Sequence, residues 1–210
     1  MRFIVPFLNH TFPFIQFFLA LGFHLLTFKK FTVMRKKLFF AIISFVCVTK
    51  IFAQGNDSLK AQLIQDWERA KAYTKAYLEA MPADKYSYRA VDSIRSFSEL
   101  MLHLAQGNVN LSSNGFGKDR IFGGRNLEKS PTAQGKDSVM YLVMQSYDYC
   151  IDNLKSFDAS KMDEVAKRGN FNITRRGWIM KAFEHQTHER GQCTIYIRLQ
   201  GIRPPGEMLF

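Results

Sequence analysis

The sequence predicts an all-α fold, an up-down four-helix bundle, on three observations. Four segments of residues 54–210 carry apolar side chains at steps of three and four. No stretch between them shows the convincing alternation of a strand. That part of the chain also has the length of one domain, enough to bury a proper core. Amphipathic helices within one domain bury their stripes against each other, which is what a bundle does.

The first helix is expected from about Ser58 to Ala80, with Leu63, Trp67, Ala70, Thr74, Tyr77 and Met81 on one stripe and Pro82 as its stop. A second begins at Ser96, where Ser96-Phe97-Ser98-Glu99 has the S-x-x-E form of a capping box, and is expected to end at about Gly107 or a turn beyond. The Asn/Ser/Gly-rich stretch Asn108 to Gly124 then reads as a long loop. A third helix, with Asp137 as its N-cap, carries Val139, Met140, Val143, Tyr147, Cys150, Ile151 and Leu154. The fourth runs from Thr174 to about Leu199, ended by Gly201 and Pro204-Pro205.

Residues 34–53 read as a signal peptide: Arg35-Lys36-Lys37, an apolar run from Leu38 to Val48, and Ile51-Phe52-Ala53 as a cleavage site before Gln54. Met34 is then the start, and residues 1–33 are an upstream extension or leader. The domain, residues 54–210, is expected to be exported, periplasmic or secreted, and membrane-anchored if cleavage fails. Residues 1–53 hold seven of the 29 Lys+Arg and none of the 18 Asp+Glu, so the remainder carries about +4 rather than +11. Nucleic-acid binding thereby loses its main support.

Cys150 and Cys193 lack CxxC spacing and are too few for a disulfide-built scaffold; they pair, or they are two buried thiols on separate helices. Three histidines follow residue 53: His103 in the second helix, His185 and His188 in the fourth. On the fourth helix Trp178, Ala182, His185, Glu189 and Cys193 form one stripe, while His188 lies one step round with Lys181, Gln192 and Ile195. With that stripe inward, His185 and Glu189 reach one ion and His103 closes the set from the second helix. Two imidazoles and a carboxylate with open positions suit zinc, nickel, manganese or ferrous iron. The same spacing also fits a hydrogen-bonded core histidine and an ordinary i,i+4 ion pair.

Three ordered stretches carry a family resemblance. They are Trp67 with Tyr77-Leu78-Glu79-Ala80-Met81-Pro82-Ala83-Asp84-Lys85-Tyr86; Ile94-Arg95-Ser96-Phe97 leading to Met101-Leu102-His103-Leu104-Ala105; and Glu184-His185-Gln186-Thr187-His188-Glu189-Arg190-Gly191-Gln192 with Tyr196 to Pro205. Together they resemble the DinB/YfiT-like family over essentially all of residues 54–205. The resemblance implies a four-helix bundle, often a homodimer, with a divalent metal on three histidines: one on the second helix and an H-x-x-x-H pair on the last. It also implies a small-molecule substrate, in some relatives a low-molecular-weight thiol, and thus a metal-dependent transferase or hydrolase. A bundle that binds a ligand or partner without catalysis, its metal site structural or lost, is the alternative. His103 and His185 match two of the ligands, and Glu189 stands where the third histidine is expected. Glu189 binds the metal itself, or His188 swings in at i+3, or the site is dead. A carboxylate ligand would lower the site's charge by one unit and weaken the metal as a Lewis acid.

Gly191 reads as a tight packing position, and Arg198 and Arg203 as complements of the helix dipole with an anionic substrate group as the functional alternative. Tyr147, Tyr149 and Tyr196 read as core or dimer surface. No Gly-rich phosphate loop or Ser/His/Asp set is visible.

Overall fold

A computed structural model describes residues 55–210; the leader and signal-peptide readings fall on residues outside that range. Helix α1 occupies residues 55–80, α2 Phe97–Phe116, α3 Lys136–Ser156 and α4 Arg175–Arg198. Two short strands, β1 Val165–Arg168 and β2 Phe171–Thr174, form an antiparallel hairpin just before α4.

The core is built from the predicted stripes. Leu63, Trp67, Ala70, Tyr77 and Met81 of α1 meet Val139, Val143, Tyr147, Ile151 and Leu154 of α3 in one buried cluster. Trp67 is fully buried, edge-on to Tyr147 and Phe183. At α2 the capping box is complete: the Ser96 hydroxyl accepts from the Glu99 N–H while Glu99 accepts from the Ser96 N–H.

The helices do not alternate strictly. Lys60, near the start of α1, donates to the Lys155 and Phe157 carbonyls at the end of α3, and Lys136, at the start of α3, donates to the Glu79 and Met81 carbonyls past the end of α1. Helices α1 and α3 are therefore antiparallel, and each lysine satisfies carbonyls that a helix C-terminus leaves unpaired. Between α2 and α3, Ser98 bonds Gln134, Asn108 bonds Ser146, and Cys150 bonds Ser112, a register that only parallel helices give. Helix α4 runs back along α2, with Tyr196 bonding the Arg95 carbonyl at one end and Arg175 bonding the Gly115 carbonyl at the other. The order is thus up-down-down-up. The connection from residue 117 to 135 has to travel back along α2, about 30 Å for a 20-residue helix.

Three sequence expectations are corrected. The Asn/Ser/Gly stretch does not leave the helix at Gly107 or a turn beyond: α2 continues to Phe116, and Gly117 at φ +66 ends it. Its small residues are contact positions. Asn108 and Ser112 are buried against α3, and a Cβ on Gly115 would come within 2.6 Å of the Arg175 carbonyl oxygen. Packing there outweighs the poor helix propensity of Gly, Asn and Ser. The hairpin at 165–174 was not expected, and Lys136 rather than a residue after Asp137 opens α3, with Gly135 at the N-cap. Cys150 and Cys193 are free and buried, on α3 and α4. No helix among the described residues is long and apolar enough to cross a membrane.

Candidate metal centre

Helix α4 turns its predicted stripe inward: Trp178, Ala182, Glu189 and Cys193 are buried and His185 half-buried, while Lys181, His188, Gln192 and Ile195 are exposed. Helix α2 runs antiparallel beside it and presents His103 to the same point. His103 Nε2 lies 3.3 Å from His185 Nε2 and 3.8 Å from Glu189 Oε1, and His185 Nε2 lies 3.6 Å from Glu189 Oε1. A triangle with those sides has its centre about 2.1 Å from each corner, the length of a Zn–N or Zn–O bond. His188 faces solvent and is not part of this cluster.

The protonation pattern fits a cation. His103 Nδ1 is 2.6 Å from Glu128 Oε1, a contact in which Nδ1–H donates, so the tautomer it selects turns the Nε2 lone pair to the cluster. Burial holds the His185 imidazole below its ordinary pKa, partly opposed by Glu189, which keeps the ring neutral and able to ligate. Glu189 is 7% exposed and its second oxygen accepts from Gln192 at 3.1 Å. Three electron-pair donors thus converge where a shared cation would relieve their mutual repulsion.

Sequence reasoning missed two supporting residues. Glu128 comes from the crossover between α2 and α3, is bonded on its other oxygen by Arg95 at 2.7 Å, and so joins His103 to Arg95. Burial alone would raise the Glu128 carboxyl, but the bonds from Arg95 and His103 outweigh it and hold it below the usual range. Nothing in helical spacing marks it. The second is Gly107, one turn beyond His103. The His185 ring occupies the space a Cβ on Gly107 would take, and its Nδ1 is buried without a partner, so steric fit to Gly107 sets this ring's position. Gly191, by contrast, is exposed with nothing near its Cβ direction, which corrects its reading as a packing glycine.

A cleft of about 700 Å³ adjoins the cluster. Arg95, Glu128 and Gln192 line it, and the last two are the residues hydrogen-bonded to His103 and Glu189; Arg89, Lys129 and Tyr196 stand further along the wall. Arg198 and Arg203 do not line it. Among the tyrosines, Tyr147 is bound to Thr74 and Gln186, Tyr149 to the Asp119 carbonyl and Tyr196 to the Arg95 carbonyl.

Because charged hydrogen-bond partners of ligating histidines tune the metal, Glu128→Gln is expected to weaken zinc binding roughly 10- to 100-fold, read by competition with a chromogenic chelator. Circular dichroism should be unchanged, because Glu128 lies outside the four helices.

Fold and cluster together define a class: four-helix bundles with a candidate metal centre between two antiparallel helices and a cleft beside it. Within that class the chain belongs to the DinB family, whose model matches residues 53–208. Two solved structures share the fold. A DinB-like protein from Bacillus cereus is 17% identical with a TM-score of 0.60, the match covering 69% of this chain and 95% of that one. A DinB-like protein from Bacillus subtilis is 18% identical with a TM-score of 0.55, covering 71% and 96%. No curated protein matches. Both solved chains are almost wholly accounted for by the bundle, so this fold stands without a segment like residues 1–53.

Proposed function

We propose that the domain binds a divalent metal through His103, His185 and Glu189 and acts on a small molecule held in the adjoining cleft. The observation that carries this reading is the convergence of two Nε2 atoms and one carboxylate oxygen on a single point at bonding distance. The histidine side chains remain 29% and 23% exposed, which leaves room for a further ligand from solvent or substrate. An open position is the mark of a catalytic rather than a structural site. A metal bound there would supply Lewis acidity, polarising an electrophile or lowering the pKa of a bound thiol or water.

The residues of the chain have separate parts in this scheme. His103, His185 and Glu189 hold the ion; Glu128 and Gln192 orient them; the Arg95 side of the cleft receives substrate. If the reaction is a thiol transfer, the thiol belongs to the substrate. Burial pushes Cys150 up to about 12 and raises Cys193 further, so neither is a thiolate at neutral pH. Thiol transfer and hydrolysis both fit the site, and export of the domain after cleavage before Gln54 belongs to the same proposal.

Protein comprising residues 54–210, made in metal-supplemented medium, tests it by elemental analysis. The expected result is about one metal per chain in wild type and in His188→Ala, and below roughly a tenth of that in His103→Ala. A wild type without stoichiometric metal overturns the catalytic reading. Loss of metal in His188→Ala shows that the ligand set is wrong.

A further inference from the structure

At the end of the bundle opposite the capping box of α2 lies a second cleft, of about 570 Å³. Lys118, Arg120, Lys167 and Arg168 line it against a single acid, Asp119. None of these four cations is in an ion pair among the described residues, although Arg175 and Arg176 close by are paired with Glu164 and Asp163. Unpaired like charges gathered around one cleft repel each other, which is tolerated where an anionic partner meets them.

Apolar side chains flank the cations. Val165 and Phe171 of the hairpin are each 63% exposed and Ile121 is 47% exposed. Arg168 and Phe171 are cross-strand partners at the hairpin tip, on either side of Gly169 and Asn170, where Gly169 at φ +55 makes the turn. A cation beside an exposed aromatic ring on a projecting tip suits an interface that is charged at its surface and apolar beneath.

The first described turn of α1 lies at this same end. Asn56 bonds Asp163, which pairs with Arg176, while the neighbouring Glu164 pairs with Arg175, whose guanidinium bonds the Gly115 carbonyl beside the cleft.

From the unpaired cations and the exposed apolar side chains beside them we propose that the Lys118, Arg120, Lys167 and Arg168 face is a docking surface for an anionic phospholipid bilayer, with Phe171 entering the interface. The surface does not depend on the metal centre. Lipid phosphates supply the missing counter-charges.

Cosedimentation of residues 54–210, the domain left by the cleavage proposed above, tests the face, with a cooperative thermal melt as the check that it is folded. Vesicles of phosphatidylcholine with about one third phosphatidylglycerol should bind it, neutral phosphatidylcholine vesicles should not, and about 0.5 M NaCl should release it. At about fivefold per cation, Lys167→Ala/Arg168→Ala should weaken binding roughly 25-fold with an unchanged melting temperature. Should that pair disturb the hairpin, Lys118→Ala/Arg120→Ala gives the same reading from the other wall. Equal binding to neutral and anionic vesicles, or full binding by both double variants, overturns the proposal. It is also overturned if the vesicles fail to bind while inorganic phosphate or single-stranded RNA does.

Discussion

Glu189→Ala is expected to lower the metal affinity of the domain by about 10²- to 10³-fold, while Glu189→His is expected to keep or raise it. Structural zinc sites contribute roughly 10–16 kcal/mol from four ligands, so losing one ligand is worth about 3–4 kcal/mol, or two to three decades. Alanine at 189 leaves His103 and His185 with no third donor, because His188 faces solvent on the next row of α4. Histidine at 189 restores an H-x-x-x-H pair on the same inward row and removes one negative charge from the site. The two variants separate two explanations of why the family's third histidine is missing here. If the carboxylate is a working substitute, alanine empties the site and histidine fills it. If the site has been abandoned, wild type and alanine variant bind equally weakly and only the histidine variant gains metal. Calorimetric titration with zinc into apo protein gives the answer directly. An alanine variant as tight as a tightly binding wild type would show that Glu189 is not a ligand.

The sequence carried more of the site than of the topology. His185 and Glu189 sit four apart on one helix, a spacing that survives any arrangement of neighbours, and His103 followed from the family pattern. Glu128 lies outside any such rule. It reaches His103 from a crossover whose path is set by the parallel pairing of α2 with α3, and that pairing has no local signature. The end of α2 was misread for a different reason. Asn108, Ser112 and Gly115 are poor helix formers, but they let α3 and α4 approach closely, and the contacts decide the local structure. The hairpin, in contrast, left a readable trace. Gly169-Asn170 separates Val165–Arg168 from Phe171–Thr174 as a two-residue turn would, but each run is too short for alternation to stand out. Helix propensity alone does not tell the exposed Gly191 from glycines whose missing Cβ admits a neighbour, as at Gly107 and Gly115.

Gly107 gives the second large effect, because stability and function should move in opposite directions. In Gly107→Ala the new methyl falls on the His185 ring, the end of a half-buried side chain whose displacement needs no backbone shift. Gly115→Ala is a different case, since its methyl meets the Arg175 carbonyl and helix α4 itself would have to shift. Alanine is favoured over glycine in a helix interior by roughly 1 kcal/mol, so apo Gly107→Ala is expected to be as stable as wild type or up to about 1 kcal/mol more stable. Displacing the ring takes His185 Nε2 out of bonding distance, and metal affinity should fall about 10²-fold or more. Thermal melts of apo protein and zinc titration read the two effects separately. A wild-type melt with intact zinc affinity would mean that His185 tolerates the methyl and that Gly107 does not position it. A large loss of apo stability would mean that the ring cannot move, and that the contact is part of the core rather than of the site. With a higher melting temperature and lost metal, the glycine at 107 would be accounted for by the imidazole it admits, a site requirement kept at the expense of the helix that carries it.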